Sequence, residues 1–137
     1  MLIFILVKES VGCTEIPVYR GATEPIVVPY GNEGKYHGED GFNDVSFENE
    51  PDISKLKTEK AWNVMSVLSR NNPGDITLIA LGPLTNVAIA MLSDPELSER
   101  LSHLYIMGGN MEAIGNVTTA AEFNFHADPE AAHTVLR

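Results

Sequence analysis

Apolar positions in the second half of the chain fall into two alternating spacings. Ala61, Met65 and Leu68 recur at helical intervals beside Trp62 and Val64, and Asn71-Asn72-Pro73-Gly74 closes the run. This predicts an amphipathic helix starting near Thr58. Ile76 to Leu81 is almost unbroken apolar sequence with a single Thr, the pattern of a parallel strand buried on both faces. Thr85 or Asn86 can then cap a helix over Val87 to Leu92. Asp94-Pro95 closes that helix and opens a short helical turn through Leu101, and Leu104 to Met107 reads as a further strand. Asp128-Pro129-Glu130 supplies an N-cap, a first-turn proline and an acid that complements the helix dipole, so a helix starts there.

Strand, helix, strand and helix in this order predict right-handed crossovers. The expected fold class is α/β, an open, mostly parallel sheet with helices on both faces. Ligands of such sheets sit beyond the carboxyl ends of the strands, which places residues 82–86 and 108–124 around one crevice. Upstream the pattern is weaker. The apolar run Met1 to Val7 is too short to span a bilayer and lacks the basic residues that precede a secretory core, so it reads as a buried strand or a remnant. Ile16 to Tyr19 is a short strand leaving into a loop that runs to about residue 57. Its stretch GNEGKYHGEDGFND is too rich in glycine and acid to pack, and a loop of this length is expected to act as an active-site flap.

Composition narrows the partners. A chain of 137 residues with 44% hydrophobic content can bury one sizeable core, so a single domain is expected. The formal net charge of -10 repels phosphate backbones and anionic lipid, which makes nucleic acid and membrane surfaces poor partners. A bound cation suits that balance, and ordinary solubility, the preferred reading on composition alone, explains the acid excess without one. Cys13 is the one cysteine, so no internal disulfide forms and a reducing, cytoplasmic setting is the default. Asn116-Val117-Thr118 matches a glycosylation acceptor formally, and a chance match is the preferred reading.

The candidate chemistry concentrates in GNVTTAAEFNFHADPE, residues 115–130. Asn carries donor and acceptor atoms and ionised Glu accepts from several hydroxyls, so Asn116, Glu122 and Asn124 together suit a polyol ligand. Met107 with Gly108 and Gly109 offers a soft apolar surface for a sugar face, or else a core methionine before a flexible turn. The LGPLTN bend, residues 81–86, can leave carbonyl oxygens facing the crevice, or can be a plain strand-to-helix connection. His37, between Tyr36 and Gly38, could swing into a pocket or could be a solvated loop histidine. His103, His126 and His133 have no neighbours that suggest chemistry.

These segments resemble the inosine–uridine nucleoside hydrolase family, whose loops carry a GN, an AEFN and a DPEAA in this order. The likeness extends through LGPLTNVAIA at 81–90, YIMGG at 105–109, YHGEDGF at 36–42 and IPVYRGA at 16–22. Residues 16–137 thus look like part of a single nucleoside hydrolase domain, with 1–15 an atypical N-terminal segment. The resemblance implies calcium-dependent hydrolysis of the N-glycosidic bond of a ribonucleoside to free base and ribose, by a homo-oligomer in the full-length form. It implies that Asn116, Glu122 and Asn124 bond the ribose hydroxyls, that Met107 lines the sugar pocket, that the Thr85 main-chain oxygen ligates Ca2+, and that His37 stands near the base. The family's DxDxGxDD strand end and closing His-Asp pair do not occur, so the chain reads as an internal fragment, expected to be inactive alone and to expose apolar surface. The alternative is a truncated protein that acts by binding or oligomerisation. A dinucleotide-binding oxidoreductase is disfavoured because no GxGxxG follows a strand. Glu122→Gln in a full-length relative is expected to cost activity without unfolding.

Overall fold

The computed structural model describes residues 2–27, 38, 44 and 52–137. They belong to two compact units, one holding residues 2–20, 38, 44 and 52–60 and the other 21–27 and 61–137.

In the first unit, α1 (Leu2–Ser10) precedes β1 (Val18–Arg20), a 3-10 turn (Ile53–Lys55) and β2 (Leu56–Lys60). The opening apolar run is therefore helical, where a strand or remnant was expected. A helix satisfies its own backbone, whereas a strand needs an edge to pair with. Gly12, at φ 75, ends the helix. Its N–H donates to Glu9 O at 3.2 Å and the Cys13 N–H to Lys8 O at 2.9 Å, a Schellman closure that glycine adopts without strain. β1 and β2 pair in parallel, with Val18 opposite Leu56 and Tyr19 opposite Lys57. Thr58, the expected helix start, consequently lies inside a strand. Most of the expected flap, His37 included, lies outside the described residues.

The second unit holds α2 (Ala61–Asn71), β3 (Ile76–Ala80), α3 (Thr85–Ser93), α4 (Leu97–Arg100), β4 (Leu101–Ile106), α5 (Phe123–Ala127) and α6 (Pro129–Leu136). β3 and β4 pair in parallel, Leu78 opposite Leu104 and Ala80 opposite Ile106. Leu84, Val87 and Ala88 around the start of α3 and Ala131 and Ala132 of α6 form the core, and those four strand residues pack against it. The other side of the same strands is open: Ile79 is 61% exposed and Tyr105 59%. The run Ile76 to Leu81 was expected to be covered on both faces. An unbroken apolar strand records what each face can bury, not whether a partner in this chain buries it.

α2 keeps Ala61, Trp62, Val64 and Met65 partly buried, as its apolar spacing suggested, but the expected line does not hold at Leu68. Ser66 and Ser69 are buried while Val67 and Leu68 are half exposed. Polar ties hold the buried serines. Ser69 Oγ donates to Ser66 O at 3.0 Å and accepts from Arg100 Nε at 3.2 Å. Arg100 also binds the Asp94 carboxylate, which Arg70 of α2 approaches at 2.9 Å. The hydrogen bond from Arg100 holds the Asp94 carboxyl below its usual range. Among the described residues no helix is long and apolar enough to cross a membrane.

Candidate functional site

The site grows from the carboxyl end of β4. The Met107 N–H donates to Ala80 O at 2.9 Å, carrying the strand pairing one residue further. The chain then turns through Gly108 and Gly109. A Cβ on Gly108 would stand 2.4 Å from the Phe125 ring, so only glycine fits under that ring. The group that approaches this pair of glycines closely is Phe125 of the chain itself.

Glu122 caps α5, a five-residue helix that lay unrecognised within the polar stretch. Its Oε1 accepts from Asn124 N–H at 2.8 Å, and its Oε2 from Gly109 N–H at 2.8 Å and Phe125 N–H at 3.1 Å. An ionised carboxylate offers about four acceptor positions, so roughly one is left for a ligand hydroxyl. Asn124 is buried and its Nδ2 donates to Met107 O at 2.8 Å. Asn116 is exposed, and its Oδ1 accepts from Phe123 N–H at 2.7 Å. The tight loop before α5 is folded on itself: Gly115 N–H donates to Thr119 O and Asn116 N–H to Ala121 O, both at 3.0 Å. Met107, Asn116, Glu122 and Asn124 are therefore one connected group, joined through the backbone they bind.

Thr85 enters from the end of β3. It is the first residue of α3, and Leu84 occupies the N-cap without a side-chain bond, so neither Thr85 nor Asn86 caps the helix as expected. Both side chains reach outward. Thr85 Oγ1 donates to Asp128 Oδ2 at 2.6 Å, and Asn86 Oδ1 accepts from Ala22 N–H at 2.8 Å. Asp128 is 0% exposed and does cap α6, accepting from Ala131 N–H through Oδ1 at 3.0 Å. Its Oδ2 also accepts from Ile26 N–H at 3.1 Å. A concavity of about 280 Å³ lies here, walled by residues 22–25 on one side and by Thr85, Asn86 and Phe123 among others.

Among the described residues no three His, Cys, Asp or Glu side chains converge to hold a metal ion. The Thr85 carbonyl alone does not make a calcium site, so these residues do not fit the ion without further ligands. The wall at residues 22–25, the capping role of Glu122 and the Phe125 lid on the glycines were not read from sequence. A five-residue helix is too short to show periodicity, and a cap by Glu is not among the strong N-cap signals.

A parallel strand–helix–strand block with a polar loop and a concavity beyond its strand ends defines an α/β ligand-binding core. The family model described as inosine-uridine preferring nucleoside hydrolase matches residues 4–137, and the chain belongs to that family. It is similar to uridine nucleosidase 1 of Arabidopsis thaliana, 37% identical over 134 residues that cover 96% of this chain and 39% of that protein. It is also similar to the pyrimidine-specific ribonucleoside hydrolase RihA of Citrobacter koseri, 39% identical over 126 residues, 92% of this chain and 39% of the relative. The solved structure of a purine-preferring ribonucleoside hydrolase from Gardnerella vaginalis matches with a TM-score of 0.89 at 26% identity, over 99% of this chain and 44% of the other. The chain spans about two fifths of the length of the curated relatives it matches.

Proposed function

We propose that this chain carries the ribose-binding part of a ribonucleoside hydrolase, which converts a nucleoside and water to free base and ribose. The observation that carries this reading is the connected group Met107, Asn116, Glu122 and Asn124 at the strand ends of a chain that belongs to the family.

In the reaction the bond between the anomeric carbon and the base nitrogen breaks with its electron pair leaving on the base, positive charge develops on the sugar, and the water oxygen then bonds to the anomeric carbon while the proton that water loses is made good on the base nitrogen. The carboxylate of Glu122, fixed by three backbone N–H groups, accepts from a ribose hydroxyl with the position it has left. A carboxylate held by its backbone partners stabilises positive charge developing beside it without rearranging. Asn116 and Asn124 complete the hydroxyl contacts, Met107 packs against the sugar, and His37 serves the leaving base. Ca2+ belongs to the same reading, with the Thr85 main-chain oxygen as the donor from this chain. Assembly of the complete protein with copies of itself and a cytoplasmic setting extend it. The net charge of -10 supports a small uncharged substrate over nucleic acid.

The test is direct. The protein in its natural form, incubated with uridine and with inosine, is expected to release ribose from at least one of them, read by a reducing-sugar assay. No release from either, by protein shown to be folded, overturns the reading.

A further inference from the structure

The segment that walls the concavity is fixed at both ends by side chains from elsewhere in the unit. Ahead of it, Asn86 Oδ1 takes the Ala22 N–H at 2.8 Å. Behind it, Asp128 Oδ2 takes the Ile26 N–H at 3.1 Å. Gly21 allows the first contact, because a Cβ there would lie 2.7 Å from Asn86 Nδ2. Between the anchors stand Thr23, Glu24 and Pro25, all lining the concavity. Asp128 is fully buried, and the cap of α6 uses only its Oδ1. Its second oxygen is committed to Ile26 and to the Thr85 hydroxyl, so one carboxylate ties the wall, the start of α3 and the start of α6 together.

A cap alone does not call for that arrangement. Asn caps a helix as well as Asp does, through one oxygen. A buried ionised carboxylate is costly unless its acceptor positions are filled, and here the second oxygen is filled by the residues that shape the concavity. We propose that Asp128 and Asn86 are positioning residues which clamp residues 22–26 as a preorganised wall against the bound nucleoside. The inference rests on the hydrolase reading above. The wall meets the ligand through Thr23 and Glu24, whereas Asp128 and Asn86 act through the backbone they hold. A wall that binds ground state and transition state alike affects KM more than kcat.

Asp128→Asn tests the clamp in the natural protein. It keeps an acceptor for the α6 cap and places an amide NH2 opposite the Ile26 N–H. The Ile26 amide is expected to exchange with solvent about tenfold faster, with Ala131 and Ala132 still protected, and KM for the cleaved nucleoside to rise about tenfold while kcat changes less. Asn86→Ala is expected to raise KM in the same way, and Asn86→Asp, which keeps the acceptor, to restore it. Should Asp128→Asn fail to fold, the two Asn86 variants decide the matter. Unchanged Ile26 exchange and unchanged KM, or an Asn86→Ala as good as wild type, overturn the clamp. If the wild-type protein releases no ribose, the hydrolase reading itself has failed, and the clamp fails with it.

Discussion

The block from Ile76 to Ile106 and the segment from Met107 to Asp128 adjoin in sequence and are held by different forces. In the block, Leu78, Ala80, Leu104 and Ile106 pack on Leu84, Val87 and Ala88, contacts without direction that any well-shaped apolar side chain could make. In the segment, side-chain oxygens and amides bind backbone groups: Glu122 takes three N–H groups, Asn124 gives to Met107 O, Asn116 takes Phe123 N–H and Thr118 Oγ1 takes Ala121 N–H at 2.9 Å. The packed apolar side chains of the block offer no polar atom to a ligand, whereas a loop built from carboxylate and amide presents polar groups and holds them still.

The largest effect should come from the apolar block. Leu84→Ala, at 1% exposure, is expected to cost about 2–5 kcal/mol in chemical denaturation. On the open face of the same sheet, Ile79→Thr should stay within about 0.5 kcal/mol. Equal losses at the two positions would mean that the open face is covered in the protein as it works.

A smaller change sharpens the contrast on the polar side. Asp94 bonds Arg100 and Arg70, and its pKa is lower folded than unfolded. Its contribution is therefore fully present above the unfolded pKa and is lost as pH falls through the folded value. Asp94→Asn should reduce stability at neutral pH, with the deficit shrinking as acid protonates the wild-type carboxyl. A deficit that does not change with pH would contradict this.

The two regions also differ in how much of them the sequence discloses. The block was legible: β3, α3, α4 and β4 fall within a few residues of their expected places because apolar periodicity encodes packing directly. The covering of each face was not, since Ile79 and Leu78 are equally apolar and only the presence of α3 and α6 separates them. In the segment the residue types were legible and their partners were not. Asp128 was read as a cap and is one, yet its contacts with Ile26 and Thr85 span separations that no local pattern reveals. Thr58 shows the opposite failure: helical spacing from Ala61 onward was extended backwards into a strand that pairs with β1, a partner distant in sequence.

In the proposed hydrolase reading Glu122 serves both the fold of the segment and the ribose. The structure alters the simple expectation that Glu122→Gln costs activity alone, because an amide keeps one oxygen where the carboxylate used two, leaving a backbone N–H without its acceptor. In the natural protein this variant is predicted to lose about 1–3 kcal/mol of stability and, at a temperature where it is still folded, to raise KM for the cleaved nucleoside about tenfold or more. An unchanged KM in the folded variant would contradict the account, whatever happened to its stability.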